Sequence, residues 1–195
     1  MPVSYTEHYR REVLRAIGSI PLDKVDLAIQ WFKEARSAGR QIFVCGNGGS
    51  AANASHFACE VLKGASYGRP ARFRIQALTD SVPTITAYSN DVGYEAAFVE
   101  QLKNFAGPGD ILVGLSGSGN SMSVVRAVEY ANSIGCRTLT LTGYDGGKLA
   151  PLGQLSIHIP MAHIGRSEEA QLAVLHMISY YFMDEQPAGA SPAGE

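Results

Sequence analysis

His56 and Glu60 stand four residues apart in a stretch that reads as helix, so one face carries an imidazole beside a carboxylate. That pairing suits two kinds of chemistry. A carboxylate near a carbon can carry a proton through an enediol, and a neutral imidazole can serve the oxygens near neutral pH. The same two side chains can share a divalent metal, which would polarise a carbonyl. Asn53 and Lys63 continue the polar face, while Ala54, Phe57, Ala58 and Val61 take the apolar one. The plain alternative is the wet side of an amphipathic helix. His176 lies in an apolar helix, where a core histidine is the plain alternative, and His8, His158 and His163 read as structural.

The elements that must position this pair are legible around it. Residues 41–63 read QIFVCGNGGSAANASHFACEVLK: a short β-forming run, a glycine-rich turn at 46–50, then an alanine-rich helix. Strand, tight turn and helix together aim backbone N–H groups and a helix N-terminus at an anion. The pattern recurs at 110–121, where DILVGL leads into SGSGNS and a further helix. Ser116, Ser118, Ser121 and Asn120 offer neutral donors, and Ser121 falls at the expected N-cap of that helix. Hydroxyls and amides without a lysine suit a phosphate monoester rather than a nucleoside triphosphate, whose loop would carry GKS or GKT. A flexible polar loop is the alternative. GNGGSA also fits G-x-G-x-x-A, but the strand that follows, at 69–77, lacks the acid that a dinucleotide ribose requires.

The rest of the chain supplies a scaffold. Helices are expected at 4–20, with Tyr9, Val13, Ile17 and Ile20 as the apolar stripe, and at 22–38, with Val25, Ile29, Phe32 and Ala35 inward. Strands are expected at 72–78, 110–115, 137–142 and 155–159, and helices at 81–90, 93–105, 121–135 and 167–184. The last of these is apolar nearly all round and reads as buried, here between subunits. Strands alternating with helices imply an α/β fold, a three-layer sandwich on a central parallel sheet. In such sheets ligands sit at the carboxyl ends of the strands, where both turns fall. One domain over 1–185 and a disordered tail over 186–195 complete the expectation.

With 195 residues, 46% apolar and 17% charged, the chain is globular in composition, and a net charge of −2 gives no footprint for nucleic acid. No apolar run approaches the ~20 residues that span a bilayer, and the first 15 residues are too polar for a signal peptide. Cys45, Cys59 and Cys136 lack CxxC spacing, which favours a reducing cytoplasm and argues against a cysteine zinc site.

Taken together, CGNGGS at 45, His56 and Glu60, Asn90–Asp91, SGSGNS at 116, TGYDGG at 142 and EEAQLAVLH ending at His176 resemble the sugar isomerase (SIS) domain family, and within it the phosphoheptose isomerases. The resemblance runs from the N-terminal helices to about residue 184. It implies a flavodoxin-like, doubly wound fold and a cytoplasmic homotetramer with sites at subunit interfaces. It implies an aldose–ketose isomerase that converts sedoheptulose 7-phosphate to D-glycero-D-manno-heptose 7-phosphate, with one zinc ion per subunit. It also implies substrate contacts at Asn47, Gly48, Gly49, Ser50, Asn90, Asp91, Ser116, Gly117, Ser118, Ser121 and Glu168. Metal ligands are implied at His56, Glu60, Glu168 and His176, with Glu60 and His176 as the acid/base pair.

Several positions depart from the family pattern. Glu168 replaces the metal-binding Gln, Gln171 the first His of the last motif, Gly165 an Asp and Gly64 an Arg, and SGS stands for STS. These bear on the exact sugar and on the metal. Glu168 and His176 are eight residues apart, ~12 Å of helical rise, so one ion is shared only if Glu168 lies at or before the first turn or if another subunit contributes. Two other functions fit the same residues: isomerisation of a different sugar phosphate, and non-catalytic sugar-phosphate binding with a regulatory role.

Overall fold

Five parallel strands, β1 (Gln41–Cys45), β2 (Arg74–Ala77), β3 (Ile111–Ser116), β4 (Arg137–Thr142) and β5 (Leu155–His158), form one sheet in the computed structural model of the chain, which describes residues 3–185. Their order is β2-β1-β3-β4-β5. Every residue of β3 is buried, as its unbroken apolar run requires of a strand covered on both faces. Register is set by pairs such as Ile42 with Ile111 and Val113 with Leu139.

Two apolar cores flank the sheet. On one side pack α1 (Tyr5–Gly18), α2 (Leu22–Ser37), α3 (Gly49–Cys59) and α7 (Ile164–Asp184), around Phe32, Phe57, Val174, Ile178 and Phe182. On the other pack α5 (Val99–Phe105) and α6 (Met122–Ser133), around Phe98, Leu102, Val124 and Val128. The doubly wound parallel sandwich read from the sequence is therefore the observed fold. No helix among the described residues is long and apolar enough to cross a membrane. The tail at 186–195, expected to be disordered, lies outside the described residues.

Three differences from the sequence reading bear on the site. The helix that carries His56 does not continue as α-helix to Lys63; it passes into a π turn over Glu60–Gly64, closed by Ala65 N–H donating to Glu60 O at 3.0 Å. At Gly64 a Cβ would sit 2.2 Å from the Met183 methyl of α7, so the end of that side chain would have to move to admit one. The last helix starts at Ile164, three residues earlier than expected, with His163 as its N-cap. Within one chain one face packs on α1, α2 and α3, while Tyr180 and Tyr181 remain 47% and 39% exposed. Finally, the expected helix at 93–105 is split into a 3-10 turn over Tyr94–Ala96 and α5. The helix before it, α4 (Val82–Asp91), buries none of its residues.

The cysteines divide by burial. Burial pushes the Cys45 thiol up to about 12, and burial with the nearby Asp110 carboxylate pushes Cys136 up to about 11, whereas Cys59 is exposed. A thiol held protonated is a poor nucleophile. Titration of the native protein with a thiol reagent at pH 8 is expected to label Cys59 alone rapidly, and all three after denaturation. Rapid labelling of Cys45 in the native state would contradict this packing.

Candidate active site

The chain leaves β1 for β2 on one side and returns to β3 on the other, so the crevice between the carboxyl ends of β1 and β3 is the switch point at which such sheets bind ligands. Both glycine-rich turns open there. In the first, Gly48 takes φ +57 as the N-cap of α3, and Gly49 begins the helix. A Cβ at Gly49 would lie 2.3 Å from Glu168 Oε2, so the carboxylate rests directly against this turn. Glu168 also accepts Asn53 Nδ2 on its main-chain oxygen at 2.9 Å. An anion belonging to the protein thus lies against the N-terminus of α3, a place that favours negative charge.

Ser50 is buried and donates its hydroxyl to Gln171 Oε1 at 3.1 Å, while Gln171 Nε2 donates to Leu141 O on β4 at 3.2 Å. The Ser50 hydroxyl is therefore engaged inside the protein, which leaves its main chain in the first turn of α3 as the part able to meet a substrate. A fully buried amide with one donor and one acceptor bond does here what a neutral imidazole could also do. That accounts physically for Gln171 where the family has His.

In the second turn Ser116 Oγ donates to Ser121 Oγ at 3.1 Å, and Ser118 Oγ accepts from Asn120 N–H at 3.2 Å. Ser121 holds the N-cap position of α6 without a side-chain capping bond, so its oxygen is turned toward Ser116 instead. The TGYDGG segment braces this turn. Gly143 N–H donates to Gly117 O and Leu149 N–H to Gly119 O, both at 2.9 Å. Gly119 has φ +68, and a Cβ on it would be 2.0 Å from Gly146 O.

Asn47 ties the first turn to the helix that follows the second. Its Nδ2 donates to Ser123 Oγ at 2.9 Å and its Oδ1 accepts from Tyr94 OH at 2.6 Å. A cleft of about 360 Å³ opens at this junction, lined by Asn47, Tyr94, Glu95, Ser121, Met122 and Ser123. That volume is in the range for small-ligand sites. Tyr94 and Ser123 were not among the residues read from the sequence; a tyrosine in a 93–105 helix gave no signal.

Further along α3, His56 meets His176 of α7 with Nε2 to Nε2 at 2.9 Å and the rings edge to face. At that distance one ring can donate to the other, the direction being set by the tautomers. His56 is exposed and His176 half-buried, so the pair faces outward, and Tyr180 meets His176 edge to face. Glu60, half-buried, lies one turn beyond His56 where the π turn begins. π turns recur at functional sites.

Two parts of the expected constellation are not assembled within one chain. Glu168 is the fifth residue of α7, beyond its first turn, and lies at Gly49 rather than at the histidines. Among the described residues no group of three or more His, Cys, Asp or Glu is placed to hold a metal ion. Asn90 and Asp91 are exposed at the end of α4, bonded to each other at 2.8 Å, and do not line the cleft.

The sequence matches the SIS domain family over residues 5–143. A phosphoheptose isomerase of Akkermansia muciniphila is 37% identical over 179 residues, covering 89% of this chain and 94% of the relative. Among solved structures, a phosphoheptose isomerase from Neisseria gonorrhoeae superposes with a TM-score of 0.83 at 30% identity, covering 91% of this chain and 96% of that one. One from Francisella tularensis gives 0.85 at 27% identity, covering 93% and 95%. With the two turns, the helix-borne His56 and Glu60 and the switch-point crevice in place, the chain belongs to the SIS domain family and, within it, to the phosphoheptose isomerases, which makes it an enzyme of the phosphosugar isomerase class.

Proposed function

We propose that the enzyme interconverts a phosphorylated ketose and its aldose, with sedoheptulose 7-phosphate and D-glycero-D-manno-heptose 7-phosphate as the pair. The observation that carries this reading is the His56–His176 contact at 2.9 Å, on a helix that begins at the crevice and carries Glu60 one turn further on. From Gly49 to His56 the helix rises ~10 Å, comparable with the reach of an open seven-carbon chain. The phosphate is held by the hydroxyls and amides of 116–121, because the N-terminus of α3 already has the Glu168 carboxylate against it. The reacting carbons then lie beside His56, Glu60 and His176.

Glu60 removes the proton from C1 of the ketose, the C1–H electrons form the C1–C2 double bond of an enediol, and the C2 oxygen takes a proton from the imidazole pair. Glu60, half-buried and open to proton exchange with water while the enediol lasts, then protonates C2, while the C1 hydroxyl gives its own proton back to the imidazole as the aldehyde forms. Zinc, if bound, would be held by His56 and His176 with carboxylates from Glu60 or from another subunit, and would polarise the sugar carbonyl. Incubation with a panel of five- to seven-carbon ketose phosphates, followed by aldose detection, tests the reading. Turnover highest on the seven-carbon sugar supports it; turnover only on a shorter sugar would replace the substrate, and none on any would overturn the reading.

Assembly into a homotetramer is part of the proposal. It is supported by α4, which buries no residue of its own while exposing Val82 at 65%, and by Tyr180 and Tyr181. Analytical ultracentrifugation at assay concentration is expected to give a species of about four chains. A fully active monomer would contradict it.

A further inference from the structure

Tyr94 is 51% exposed, yet its hydroxyl is committed to Asn47 Oδ1 at 2.6 Å. The other end of that amide is committed to Ser123 Oγ, in the first turn of α6. The Asn47 amide is thus gripped from both ends by two elements on the far side of the sheet from α3, leaving one Nδ2 proton free. Tyr94 and Ser123 also line the 360 Å³ cleft between the turns.

We propose that Tyr94 is a positioning residue of the phosphosugar site: by orienting the Asn47 amide and tying the first turn to the start of α6, it fixes the width of the cleft and so which phosphosugars are admitted. The proposal rests on the phosphosugar isomerase reading. The 3-10 turn that carries Tyr94 does not depend on this one bond, since Glu95 in the same turn pairs with Arg126 of α6 at 2.5 Å. Removing the hydroxyl therefore frees the amide without releasing the segment. His56, Glu60 and His176 lie two turns or more down α3 and on α7, away from these contacts. The effect falls on binding rather than on proton transfer.

Tyr94→Phe, Ser123→Ala and the double variant would be assayed on sedoheptulose 7-phosphate and on a five-carbon ketose phosphate. For Tyr94→Phe the KM for the preferred sugar is expected to rise about five- to tenfold, the size of one hydrogen bond, with kcat within about twofold and the preference between the two sugars narrowed. The double variant should be no worse than the worse single one, because both act through the same amide. An unchanged KM in Tyr94→Phe, a lower kcat at constant KM, or fully additive losses would overturn the proposal while the wild type remains active. A wild type that neither binds nor turns over any sugar phosphate would overturn the functional reading, and the proposal with it.

Discussion

Glu60→Gln is expected to lower kcat by roughly 10²–10⁴-fold, the usual loss on removing a general base. The swap is isosteric, and nothing about the site makes it costly to the fold. Glu60 forms no salt bridge among those of the described residues, and its side chain is half-buried rather than internal. Its main-chain oxygen, which closes the π turn, is unaffected. Circular dichroism and the melting temperature should therefore match the wild type while turnover collapses. Sugar-phosphate binding, carried by the turns more than two helical turns away, should survive. A variant that turns over at wild-type rate would remove Glu60 as the base and leave the imidazole pair as the sole candidate.

Gly119→Ala should damage both stability and binding. A left-handed backbone costs a Cβ-bearing residue ~1–2 kcal/mol. The new methyl would sit 2.0 Å from a main-chain oxygen of the brace at Gly146, not against a flexible side chain. Displacing that packing costs a further ~1–3 kcal/mol. The total of about 2–5 kcal/mol corresponds to a melting point lower by roughly 5–15 °C in a chain of this size. Because Ser118 and Ser121 flank the displaced residue, phosphate contacts go with it, and KM should rise about tenfold or more. Gly18→Ala is the control. It ends α1 with nothing within 4 Å of a Cβ and without a positive φ, and should be neutral or slightly stabilising. A Gly119→Ala protein as stable and active as Gly18→Ala would refute the brace between the second turn and TGYDGG.

The two turns, their helices and the doubly wound sheet were legible because each rests on local chemistry. A five-residue apolar run such as 111–115, flanked by glycine-rich turns, fits a strand covered on both faces, and glycine clusters mark where the backbone turns tightly. What the sequence did not disclose depends on distant partners. The π turn at Glu60 lies where α7 brings Met183 against Gly64, a contact 119 residues away. The bond from Ser50 to Gln171 joins residues 121 apart, and TGYDGG reads as a plain turn until Gly146 is seen against Gly119. The spacing argument did anticipate the difficulty with Glu168. With α7 beginning at Ile164, that carboxylate sits at the start of α3 and the histidine at the far end. The pairing of His56 with His176 needed the parallel packing of α3 on α7, which no local pattern encodes.

In the proposed reaction Glu60, just past the end of α3, moves a proton between adjacent carbons of a phosphorylated sugar. Proton NMR of sedoheptulose 7-phosphate incubated with the enzyme in D₂O measures this directly. An enediol formed by Glu60 should bring solvent deuterium into the sugar at C1 of the ketose or C2 of the aldose, at a rate that falls with turnover in Glu60→Gln. Aldose formed with no deuterium at either carbon, or neither exchange nor turnover in the wild type, would contradict it.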